Sequence, residues 1–125
     1  MKLSAFLIIK SIICLVFGIG FVFMPVSLIS IYGATLDTTG VFMAQLFGTV
    51  FIGIGLICWI YRDLDLKVLK GITYALFVTD TIGFIVALFN QLSGNFNAFG
   101  WIIVALWLLF ALGLGYFSFL KPSTK

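Results

Sequence analysis

The sequence contains no histidine and no glutamate, and only 9% of its 125 residues are charged. Without histidine the commonest general base and a favoured metal ligand are missing. Without glutamate, half of the usual carboxylic acids are missing as well. Cysteine is scarce: Cys14 and Cys58 stand alone, match no metal or redox spacing, and read as small apolar residues of a greasy interior. There is no Cys-x-x-Cys, no paired carboxylate and no Ser-x-x-Lys in a plausible site. These absences predict a protein that is not an enzyme, with no catalytic residue, no metal and no cofactor.

What is present is apolar. Hydrophobic residues make up 63% of the chain, whereas soluble domains run at about 45–50% apolar and about 25% charged. The composition is that of an integral membrane protein, and the length allows one domain, residues 1–125. A bilayer crossing needs about 20 residues at ~1.5 Å each. Four runs meet it, over 3–24, 41–61, 71–89 and 101–120. None alternates apolar and polar residues as a barrel strand does. The fold class expected is an all-α membrane protein, four transmembrane helices in an antiparallel bundle.

The first run begins like a secretory signal, with Lys2 ahead of a hydrophobic stretch. Lys10 interrupts that stretch and no A-x-A-like cleavage site follows, so an uncleaved first helix is expected. Pro25 ends it. In "PVSLISIYG" the proline suits the first position of a new helix and Gly33 its end. Ser27 and Ser30 share a side, which predicts a short interfacial helix with Tyr32 at headgroup level.

The basic residues orient the bundle. With four spans, Lys2, Lys10, Arg62, Lys67, Lys70, Lys121 and Lys125 all fall on or near one side. The opposite loops, 25–40 and 90–100, carry a single charge, Asp37. The positive-inside rule makes the basic side cytoplasmic, which predicts a multi-pass protein of a prokaryotic cell membrane with both termini inside. In "RDLDLKVLK", Asp63 and Lys67 have the i,i+4 spacing of a helical pair, extending the third span downward. Its lysines would attract anionic lipid weakly. In the outer "LDTTG", Asp37 or Thr39 is placed to cap the second span.

Gly-x-Gly recurs at Gly18, Gly53 and Gly113. A phosphate cradle needs a strand–turn–helix context that a membrane span does not supply. Small residues in spans instead let helices approach closely. Ala44-xxx-Gly48, Thr49-xxx-Gly53, Gly83-xxx-Ala87 and Ala111-xxx-Gly115 have that spacing, so Gly48, Gly53, Gly83 and Gly113 are the expected packing glycines.

One carboxylate stands inside a span. Asp80 in "LFVTDTIGF" lies ~13 Å from the inner edge of the third run, near the midplane. An ionised group there costs about 2.5–3.5 kcal/mol and is by default a functional candidate facing the bundle interior. Lys10 is the only cation inside a span, and its depth differs by only ~3 Å. Three states are open to Asp80: an ion pair with Lys10, a protonated acid donating to a carbonyl or to a hydroxyl such as Thr49, or a free titrating group if Lys10 snorkels to the interface. Thr73 lies on the same helical face. The candidate polar site is therefore Asp80, Lys10, Thr49 and Thr73.

"FVFMPVSLISIYG" followed by "AQLFGTVFIGIGLICWIYRD" resembles small uncharacterised bacterial four-helix integral membrane proteins, with a proline and Tyr-Gly after the first helix and a glycine-rich second helix. The resemblance implies the four-helix fold and no activity. Size and span count are also similar to the small multidrug resistance transporters, whose first span carries an essential glutamate. This chain has Lys10 and no glutamate there. The leading expectation is an accessory or scaffold that packs in the lipid bilayer with itself or another membrane protein, with no nucleic-acid partner. The alternative is a small proton-coupled transporter of a solute or cation working through Asp80.

Overall fold

The computed structural model describes residues 2–120; Lys121 and Lys125 of the basic set lie outside them. The first helix, α1 (Leu3–Phe23), is followed by the short α2 (Pro25–Ser30), α3 (Thr38–Ile60), α4 (Leu66–Leu92) and α5 (Gly100–Gly115). A π-helical turn, Tyr116–Leu120, continues α5. No strand occurs among the described residues. Helices α1, α3, α4 and α5 with its π-helical turn are each long and apolar enough to cross a membrane, so the chain has the architecture of a multi-pass membrane protein.

The helix ends follow local chemistry. Pro25 starts α2, where its missing N–H costs nothing. Gly33, at φ +77°, supplies the left-handed residue that closes the turn after α2. Asp37 caps α3 by accepting from the Gly40 amide at 2.7 Å. The basic loop bears out the downward extension of the third span, which starts at Leu66 rather than at residue 71, but not the helical placement of Asp63. Helix α4 begins at Leu66 with Asp65 as its N-cap, so Asp63 sits in the preceding turn and is not part of a continuous helix with Lys67. Arg62 lies instead over the Trp59 ring, 4.3 Å from its centroid. Tyr32, just after α2, is buried against the bundle.

Two antiparallel units form the bundle, α1 with α3 and α4 with α5. At the α1–α3 crossing two glycines meet. A Cβ on Gly48 would stand 2.7 Å from the Gly18 carbonyl oxygen and 2.8 Å from Phe21 Cβ, so the backbones touch as small-residue packing requires. Gly83 gives its space to the Trp107 ring and Gly113 to the Phe6 ring. Gly53 does not pack: nothing approaches within 4 Å of its would-be Cβ, because the other side of α3 faces α1. The bundle is solid at the basic end, where Leu3, Leu7, Cys58, Leu69, Leu114 and Phe117 form one buried cluster. At the opposite end Asn97 joins the two units, its amide donating to Tyr32 O at 2.9 Å and its side chain to Ile31 O at 3.1 Å.

Candidate functional site

Between the two units, from mid-depth toward the Asn97 end, the helices diverge around a partly open cavity of about 540 Å³. This lies within the ~300–1,000 Å³ range of small-molecule sites. Its lining is overwhelmingly apolar. A row of rings runs along one wall from Phe21 through Phe47 and Phe51 to Trp107, with successive centroids 5.4, 4.3 and 5.9 Å apart. Tyr32, Asn90, Phe96 and Gly100 lie toward the Asn97 end. Phe47, Ile82 and Val86 line the cavity and are themselves exposed, and the cavity is partly open.

Lys10 and Asp80 form the floor. Both are only 2% exposed, and Lys10 Nζ donates to Asp80 Oδ2 at 2.7 Å across 70 residues of chain. The ammonium also stands 4.3 Å from the centroid of the Phe110 ring, a position that favours a cation. Next to it, Ser11 Oγ donates to Gly55 O at 2.8 Å. This bond fixes the rotation of α1 on α3 and so aims the Lys10 side chain across the bundle. Of the states open to Asp80, the structure has the ion pair, and Lys10 does not snorkel.

The other two expected members are not in the site. Thr49 is exposed on α3 and its hydroxyl donates to Gln45 O, one turn back along the helix, at 3.1 Å. It shares the outward side of α3 with Gly53 and is no partner for Asp80. Thr73 is buried, and its hydroxyl has no hydrogen-bond partner among the described residues. Two turns below Asp80 on α4, it does not line the cavity. Sequence reasoning missed Gln91 and Asn97. Gln91 is buried and its Nε2 donates to Asn97 O at 3.0 Å, holding the loop that closes one end of the cavity. The clustering of amides in "NQLSGNFN" is the signal that could have pointed there. Trp107 and the phenylalanine row gave no such signal, since aromatic residues are spread through every span.

No group of three or more metal-ligating side chains occurs among the described residues. The arrangement is therefore a greasy, ring-lined chamber with one internally neutralised ion pair at its floor. The comparisons of this chain with protein-family models, with curated proteins and with solved structures found no match.

Proposed function

We propose that this chain is a non-enzymatic membrane protein that binds a small lipophilic molecule, taken up from the bilayer into the cavity between its two helical units. The cavity carries the reading: a bundle whose task is only to pack has no use for an open chamber of about 540 Å³ beside a solid core. The test is saturable binding of a neutral hydrophobic fluorophore, N-phenyl-1-naphthylamine, to the protein in nanodiscs. Ala87→Phe, which places a ring into the chamber, should abolish it while leaving the melting temperature near that of the parent. Uptake no greater than by empty nanodiscs would end the proposal. Proton-coupled transport gains no support from a carboxylate already committed to Lys10 at 2.7 Å.

The accessory-protein reading keeps one support. Thr49 is exposed on α3 and nothing packs over the half-buried Gly53 one turn on, so a second helix can approach closely there. Cross-linking from a cysteine placed at position 53 would reveal such a neighbour, and its absence in cells would remove this reading. We assign the basic end to the cytoplasm of a prokaryotic cell, from the positions of Lys2, Arg62, Lys67 and Lys70. Reporters inserted after Thr35 and after Gly94 should both register outside. A cytoplasmic signal at either position would invert the assignment.

A further inference from the structure

We propose that the ligand of this cavity is electrically neutral and ring-bearing and carries a hydroxyl head that the Lys10–Asp80 pair holds. The inference rests on the binding function proposed above and specifies its ligand class.

The argument starts from charge. Lys10 and Asp80 together are neutral, both line the cavity, and they are 2.7 Å apart. A cationic ligand would have to take Asp80 from Lys10, and an anionic one Lys10 from Asp80. Either exchange leaves one protein charge unmatched where water is scarce, and that is the costly outcome for a buried pair. A neutral hydroxyl avoids it. A carboxylate offers about four lone-pair sites and an ammonium three donors, and the pair uses one of each. A hydroxyl can donate to Asp80 or accept from Lys10 while the pair stays closed. Above the floor, the Phe21–Phe47–Phe51–Trp107 row offers ring faces and edges at spacings suited to aromatic packing. The cavity is partly open, so a molecule already dissolved in the bilayer has a way in. Ring body along the wall and hydroxyl on the floor is the orientation that satisfies both surfaces.

The test uses one skeleton with four head groups: 4-octylphenol, octylbenzene, 4-octylbenzoate and 4-octylbenzylamine. Binding to the full chain in nanodiscs at pH 7 is read from Trp107 fluorescence, excited at 295 nm, after Trp59→Phe and Trp101→Phe. The phenol should bind about tenfold tighter than octylbenzene, the worth of roughly one hydrogen bond, and tighter than either charged analogue. In Lys10→Met/Asp80→Leu the advantage of the phenol over octylbenzene should vanish. Equal binding of phenol and octylbenzene overturns the head-group assignment but leaves the binding function standing. Preference for the amine or the acid, or a phenol preference that survives the double substitution, also overturns it. No saturable binding by any of the four removes both inferences. If the double variant does not fold, the head-group ranking on the protein with the Lys10–Asp80 pair intact decides the matter by itself.

Discussion

Removing one partner of the Lys10–Asp80 pair should destabilise the protein far more than the pair itself stabilises it. At 2.7 Å and an effective dielectric constant of about 20, the gross attraction is ~6 kcal/mol. Desolvation of several kcal/mol per ion offsets most of that. The net worth of the intact pair is therefore small, whereas a single survivor keeps its desolvation cost and loses its partner. Lys10→Met leaves a carboxylate with no cation and should cost about 3–5 kcal/mol. Asp80→Asn should fall at or below the lower end of that range, because the ammonium keeps an amide oxygen and the Phe110 ring. The double variant should cost at least ~2 kcal/mol less than the sum of the singles, within the range seen for directly contacting residues. The assay is reversible unfolding in mixed micelles, followed by tryptophan fluorescence, over the complete cycle. Additivity within ~0.5 kcal/mol, the behaviour of independent sites, would refute the pairing.

Glycine substitutions should separate the touching faces from the open ones. Gly48→Leu forces a side chain into the Gly18 carbonyl and Phe21 and should cost at least ~1–3 kcal/mol by overpacking. Gly53→Ala meets open space and should be neutral or stabilising by up to ~1 kcal/mol, from helix propensity; the same micelle unfolding reads both, and a similar cost for the two would contradict the packing described. Burial raises the Tyr32 phenol above its ordinary value. The folded state therefore favours the neutral form, and this contribution to stability is whole below the unfolded value and declines as pH rises through it toward the folded one. The phenolate absorbance lost in Tyr32→Phe should titrate above pH ~10; a transition at or below that value would contradict the burial.

The spans were legible because a bilayer demands long apolar runs, and the runs around Lys10 and Asp80 are long enough to fix depth to within a few ångströms. Depth alone brought those two residues together. Rotation about each helix axis was not legible. In a soluble helix the polar face marks the outside, but α3 is apolar all round, so nothing in its sequence separates Gly48, which touches α1, from Gly53 and Thr49, which do not. The cavity was hidden for a related reason. It arises where α1, α3, α4 and α5 fail to fill space together, a property of four surfaces that no single segment encodes.

The ion pair also imposes an order on biosynthesis. Lys10 belongs to the first helical unit and Asp80 to the second, 70 residues later. A ribosome supplies them one after the other, so α1 and α3 enter the bilayer while the partner of Lys10 has yet to be made. During that interval the ammonium has no countercharge in the membrane, and its long stem lets it reach for the headgroup layer. Arrival of α4 draws it down into the bundle. A chain interrupted before Asp80 would carry a lysine without its countercharge, so the pair can close only once the second helical unit is in place.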